Sequence, residues 1–411
     1  MAQKTNVRSH QAFKRYGDKW NSDYFEEYLL KIYKERDRIG LTDNLGAIQT
    51  VVVEVDQEMA RNYICELLIM TPYKYARSFE DKEFRYHVMR ISDANPDFLI
   101  REPLLAPHDR IWAMNQLSAN GMKKPYTRYI GEVLSVKKLD DAVKTLLERE
   151  VRFLQPLPEK RTHNYIHWTQ PSVFTWNHIG YTQHKAGQPG YDQERDWKFG
   201  AEDLAVFAKM KELQKSLKIL DYVLPIDHLA TRVYCHDREH AILEYLTMSA
   251  YYFWGAYDID EQNSSTNITR NVHNFPESRT PAKVFTANNT PYYVNHLVKL
   301  PSPTEDFVRN FGRRMHHIAY AVVDGLYGKV EDDYQNVDFV VDQLKKAEKE
   351  FLLHVIGSCK EGLKQIFSKA SKYSYLITEY IQRCDEYEGF FTKENVAALT
   401  LAAGADVMVD A

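Results

Sequence analysis

Three short strings in the second half of the chain constrain its folding more than any other feature: 225–233 around His228, 315–325 around His317 and 375–383 around Glu379. Each reads as a strand. Residues 226–230 and 317–323 are rich in apolar and β-branched side chains, and in the third string Ile377, Glu379 and Ile381 share one face. A strand sends alternate side chains to one face, so residues far apart in sequence can converge on a concave sheet. A carboxylate flanked by apolar neighbours on such a face is costly unless it is paired or metal-bound. Taken singly, each residue has a plainer role: His228 or His317 as a hydrogen-bonded core histidine, Glu379 as a partner of Arg383. Taken together, two imidazoles and one carboxylate are the donor set of a non-haem iron(II) site. Such a set leaves three adjacent positions open for a chelating substrate and O2.

The rest of the chain reads as repeated strand-helix-strand units. Residues 1–43 form a polar, Tyr-rich lead-in with helical potential over 22–38. The first half then reads as a strand over 48–55, a helix over 59–70, strands over 86–91 and 97–100, a strand over 133–136, a helix over 140–150 and a strand over 151–154. The second half repeats the order: the His228 strand, a helix over 239–252, a strand over 292–299, the His317 strand, a helix over 338–351, strands over 363–367 and 375–381, and a last helix over 392–402. Residues 258–274, dense in Asn, Ser, Thr and Asp, read as a long loop placed to cover a pocket. Two similar halves imply a duplicated βαβββ module in an α+β fold. Ligands occur in the second half alone, because Gln49 and Thr50 stand near the equivalent position of the first and bind iron poorly.

At 411 residues the chain exceeds one core, and 44% hydrophobic with 27% charged residues suits a globular interior. A net charge of −4 offers no basic footprint for nucleic acid. No apolar run reaches the length of a membrane span or a signal peptide. Cys65, Cys235, Cys359 and Cys384 lack CxxC spacing, which suits a reducing compartment and argues against a zinc knuckle. The expected location is the cytoplasm. His163, His167, His178 and His184 follow no regular ligand spacing and read as polar strand residues.

Leu220-Asp221-Tyr222 with Ile226-Asp227-His228, the run from Met315 to Ala319, and the stretch from Gly362 through Ser368 and Glu379 to Gly389-Phe390, continued by Asn395 and Leu399, resemble the 4-hydroxyphenylpyruvate dioxygenases and hydroxymandelate synthases. These belong to the vicinal oxygen chelate superfamily. The resemblance is specific over roughly 216–400 and patternlike before it. It implies two tandem vicinal-oxygen-chelate domains built from βαβββ modules. A non-metal domain over 44–205 would follow the helical extension of 1–43, and an iron-binding domain over 206–411 would hold the metal in an open barrel. It implies Fe(2+), a 2-oxo acid and O2 as partners, oxidative decarboxylation with hydroxylation of the same molecule, as in tyrosine catabolism, and a homo-oligomer, dimer or tetramer. No nucleic acid or membrane partner is expected.

By the same resemblance His228, His317 and Glu379 ligate the metal, Gln365 stands beside it, and Phe367 and Phe390 form aromatic walls, while Thr286, His316 and Asn395 bind substrate. There are departures. His316 stands where the family has glutamine, Thr286 replaces a pocket serine, Pro301 replaces a pocket asparagine, and Val396 replaces a phenylalanine on the last helix. The missing polar groups are those that would recognise a phenol hydroxyl, so the pocket is expected to be reshaped. The alternatives are another vicinal oxygen chelate reaction, such as extradiol ring cleavage, and a catalytically silent binding protein of the same fold.

Overall fold

The computed structural model describes residues 16–17, 23–104, 110–159, 165–183, 195–273, 280–291, 302–328 and 334–409. The chain begins with β1 (Tyr16–Gly17), α1 (Asp23–Arg38) and α2 (Leu41–Asn44). A first βαβββ module follows: β2 (Leu45–Glu54), α3 (Ala60–Met70), β3 (Lys74–Glu80), β4 (Phe84–Arg90) and β5 (Asp97–Pro103). Short helices α4 (Arg110–Asn115) and α5 (Ala119–Lys123) lead to a second unit of β6 (Arg128–Val136), α6 (Leu139–Glu148), β7 (His167–Trp168) and β8 (His178–Thr182). After β9 (Arg195–Trp197), α7 (Ala201–Leu217) crosses to the second half. There β10 (Val223–Arg232), α8 (Arg238–Met248), β11 (Tyr251–Ile259), β12 (Ser264–Asn271) and β13 (Ala282–Ala287) form the third module. The fourth comprises β14 (Arg314–Val322), α10 (Asn336–Lys346), β15 (Ile356–Ser358), β16 (Leu363–Phe367) and β17 (Ile377–Arg383), preceded by α9 (Pro303–Phe311) and closed by α11 (Lys393–Val409).

The modules pair into two mixed sheets, one of eight strands in the order β7-β8-β6-β2-β5-β4-β3-β9 and one of nine in the order β1-β11-β12-β13-β10-β14-β17-β16-β15. The duplication extends to register. Leu45 faces Val136, Thr50 faces Val133 and Val52 faces Gly131 in the first sheet; Val223 faces Val322, His228 faces Ala319 and Ala230 faces His317 in the second. Val133 pairs with Gly180 as Ala319 pairs with Glu379. Thr50, Gly131 and Gly180 therefore occupy the positions of His228, His317 and Glu379. A Cβ on Gly131 would strike the backbone of His178, and one on Gly180 would come within 2.8 Å of Ile166 and 3.1 Å of Trp168. Val52, Leu99, Ile130 and Val133 form an apolar cluster in the first half, with Ile166 and Trp168 packed against them.

One apolar core runs through both halves. Tyr380 donates its hydroxyl to the Met70 carbonyl at 2.6 Å, and the rings of Tyr73 and Tyr320 meet edge to face. Helix α1 docks on the second half: buried Arg36 donates to the carbonyls of Leu246, Ser249 and Tyr251, which satisfies the acceptors left by the end of α8.

Several sequence expectations need correction. The segment expected as a covering loop over 258–274 is, over its described residues 258–273, no such loop: the end of β11 and all of β12 form a buried hairpin within the sheet. Its polar side chains find partners inside, with Asn267 donating to the Phe285 carbonyl and Thr269 to that of Lys283, so polarity misled the reading. The helix expected over 239–252 ends at Met248 because β11 starts at Tyr251. Residues 151–154 hold a single bridge, Phe153 to Thr169, rather than a strand. Cys359 and Cys384 form a disulfide instead of remaining apart as reduced thiols; antiparallel pairing of β16 with β17 brings them together. His167 and His178 are buried and bonded to the Tyr165 hydroxyl and the Thr169 carbonyl. Pro301, His163, His184 and the strand expected over 292–299 lie outside the described residues.

Candidate metal centre

The three strings converge. β10, β14 and β17 are neighbours in the second sheet, and their alternation turns His228, His317 and Glu379 to one concave face. Nε2 of His228 lies 3.2 Å from Nε2 of His317, and Oε2 of Glu379 lies 3.1 Å and 3.2 Å from those nitrogens. Ligand bonds of about 2.1 Å to one ion place neighbouring donor atoms about 3 Å apart, so the spacing fits a shared cation. Glu379 is 1% exposed, and neither of its oxygens accepts a hydrogen bond from a described residue. A buried carboxylate in that state needs a counter-charge. Two imidazoles with one carboxylate suit iron(II) among the divalent metals, and the donors fit it.

The surroundings fix the ligands' orientation. Nδ1 of His228 donates to Oδ1 of Asp227 at 2.7 Å, which leaves Nε2 free to face the site. Asp227 is gripped by both terminal nitrogens of Arg383, at 2.6 Å and 3.0 Å. Burial works against the Asp227 charge, but Arg383 and His228 outweigh it and hold its carboxyl far below the usual range. Burial likewise disfavours a charged His228, yet Glu379 and Asp227 reverse this and raise it to about 9. The positive charge drawn onto His228 is the one a cation would supply in its place. Glu379 itself is pushed up by burial. His317 and His316 are held well below the usual histidine range, mainly by burial and then by nearby positive charge. Nδ1 of His317 and Nδ1 of His316 are 2.8 Å apart, so the neutral pair shares one proton between them while Nε2 of His317 faces Glu379.

A small cavity of about 30 Å³ opens beside the triad. Thr286, His316, Gln365 and Phe367, expected at the site, all line it. Oε1 of Gln365 is buried and accepts nothing from the described residues. Phe390 and Asn395 are placed differently. Phe391 rather than Phe390 lines the cavity; Phe390 lies against the His228 ring, 5.4 Å between centroids, and under the Arg383 guanidinium. Asn395 points from α11 to the Leu363 carbonyl, while Val396, Leu399 and Thr400 form the helix face that closes the cavity.

From the sequence, Asp227 and Arg232 have no site role, and Phe391 stands where the resembled family has a second glycine rather than reading as a cavity wall. Asp227 directly precedes His228, and Arg232 lies two strand periods beyond it, so alternation alone could have put Arg232 on the same face as His228. Phe391 follows Phe390 in a turn, where periodicity gives no guide.

No family model matches this chain, and no curated protein sequence does. Solved structures do. A triple mutant of 4-hydroxymandelate synthase from Streptomyces coelicolor superposes with a TM-score of 0.61 at 13% identity, over 89% of this chain and 99% of that one. A fusion protein of a xylose isomerase-like TIM barrel and 4-hydroxyphenylpyruvate dioxygenase superposes with a TM-score of 0.50 at 11% identity, over 96% of this chain and 61% of that one. At these identities the likeness establishes architecture, and that architecture is the tandem vicinal oxygen chelate fold, with paired βαβββ modules in each half and the His228, His317, Glu379 cluster on the concave face of the second.

Proposed function

We propose that this chain is an iron(II)-dependent dioxygenase that oxidatively decarboxylates a 2-oxo acid and hydroxylates the same molecule. The observation that carries this reading is the convergence of two imidazoles and one buried carboxylate beside a cavity lined by Gln365, Phe367 and Phe391. When bound, the metal would supply Lewis acidity and the redox chemistry of O2. The reaction balances without an outside reductant: one oxygen atom enters the carboxylate left after CO2 departs, the other becomes a hydroxyl on the remainder.

The chain's own residues have separable tasks. His228, His317 and Glu379 would hold the ion with a net charge of +1, which favours a chelating anion. Asp227 and Arg383 lock the His228 tautomer. The free acceptor of Gln365 is available to a water or substrate group beside the ion. Phe367, 4.7 Å from the His317 ring, and Phe391 would confine the substrate's carbon skeleton, and the Val396-Leu399-Thr400 face of α11 would keep bulk water out. The test is oxygen uptake by anaerobically iron-loaded protein offered aryl 2-oxo acids, alkyl 2-oxo acids and catechols. Stoichiometric CO2 release from a 2-oxo acid supports the reading. Uptake with a catechol alone would replace it with ring cleavage, and an iron-loaded protein inert to the whole panel would leave a binding protein.

A further inference from the structure

Arg232 lies on the wall of the metal cavity and forms no ion pair with a described residue. It is 3% exposed and makes one hydrogen bond among the described residues, to the Pro303 carbonyl at 3.3 Å. The Phe307 ring supports the guanidinium from 5.0 Å. Arg383 is matched by Asp227, Lys283 by Glu132 and Arg90 by Asp97, and Arg36 by three carbonyls; Arg128 and Arg314 also lack a carboxylate among the described residues but do not line this cavity. Asp306 lends Arg232 some negative potential but forms no ion pair with it. Burial pulls the guanidinium down to about 9, which still leaves it charged at neutral pH. A guanidinium offers five donors, and burying it with most of them unused is costly unless a ligand completes the site.

Its placement specifies the ligand. His228, Ala230 and Arg232 alternate along β10 onto the concave face, and the small Ala230 leaves the space between imidazole and guanidinium open. Thr266, Thr286 and His316 share the cavity wall with Arg232, whereas Phe367 and Phe391 line it with aromatic surface. We infer that the substrate carries a second carboxylate at the end remote from the metal, so that a 2-oxo dicarboxylic acid is clamped between the ion and Arg232. This rests on the 2-oxo acid reading given above. Arg232 is then a specificity-determining residue: it grips the substrate and takes no part in the bond changes.

The test is calorimetric titration of anaerobic, iron(II)-loaded protein with 2-oxo dicarboxylates of five and six carbons, with 2-oxo monocarboxylates of matched length and with phenylpyruvate, alongside oxygen uptake. The dicarboxylates should bind ten- to a hundredfold tighter, the order of advantage given by a charge-assisted hydrogen bond. Arg232→Met should remove that advantage without loss of iron binding, and Arg232→Lys should restore part of it; melting curves of both variants confirm that they fold. Equal binding of mono- and dicarboxylates, or a preference that survives in Arg232→Met, overturns the inference, and oxygen uptake with a monocarboxylate would then leave the 2-oxo acid reading standing. Arg232-dependent binding of plain glutarate or adipate, with no 2-oxo acid consumed, supports the carboxylate subsite and removes the 2-oxo acid reading instead.

Discussion

Glu379 has apolar neighbours on its strand, a carboxyl whose pKa is raised by burial and no donor among the described residues on either oxygen, so in the metal-free chain its charge costs stability. Glu379→Gln removes the charge and keeps the shape. The metal-free melting temperature should stay level or rise, while iron(II) affinity, measured by competition with a chromophoric chelator, should fall more than about a hundredfold, since even partners behind the ligands are commonly worth 10- to 100-fold. A variant that retains full affinity would remove Glu379 from the site. Asp227 tests the layer behind. Asp227→Asn replaces the carboxylate that holds the His228 tautomer, and the same competition assay should show a loss of about 10- to 100-fold with the fold intact. The members of the His228, His317, Glu379 cluster were legible in the sequence because each polar residue interrupts a largely apolar strand. The Asp227–Arg383 pair was not, because its members lie 156 residues apart and meet only where β10 and β17 flank β14.

At the scale of elements, α11 closes the cavity. Its volume of about 30 Å³ accommodates a water or two, far below the several hundred Å³ of a typical small-molecule pocket, so on the proposed function substrate entry would require the Val396-Leu399-Thr400 face to move outward. Val396→Trp fills the space beneath the helix without touching a ligand atom. Iron(II) affinity should change less than about threefold while oxygen uptake falls at least tenfold, with overpacking costing about 1–3 kcal/mol in urea denaturation. Wild-type uptake in this variant would mean that substrate reaches the ion by another path. The last helix was visible in the sequence from its position after Gly389-Phe390, and Val396, read as a pocket-side residue, lines the cavity, whereas Asn395 beside it turns to the Leu363 carbonyl. β12 was invisible for the opposite reason. Its Ser, Thr and Asn residues look like loop composition, and the hydrogen bonds that permit their burial go to β13 and within β12 itself, which composition cannot reveal.

At the scale of the whole molecule, duplication supplied two equivalent cradles, one holding the His228, His317, Glu379 cluster and the other packed with apolar side chains. The repeat of strands and helices was readable in the sequence; the register match that puts Thr50, Gly131 and Gly180 at the ligand positions needed the sheets. What joins the halves is partly electrostatic. Lys283 on β13 reaches Glu132 on β6 at 3.1 Å, both side chains are buried, and the Tyr129 hydroxyl donates to the same carboxylate at 2.7 Å. Burial lowers the Lys283 ammonium, with Glu132 opposing that shift, so the pair is held by mutual need. Removing one partner strands the other: Glu132→Gln or Lys283→Met alone should each cost about 3–5 kcal/mol in urea denaturation. The double variant removes both charges and leaves the Gln carbonyl to accept from Tyr129, so it should recover most of that loss and give a coupling energy of several kcal/mol in a double-mutant cycle. Additive single losses would show that the two residues act separately. Because the pair lies on the opposite face of β13 from Val284 and Thr286, iron(II) affinity in the double variant should match that of the unmodified chain, which separates the joint between the halves from the metal centre.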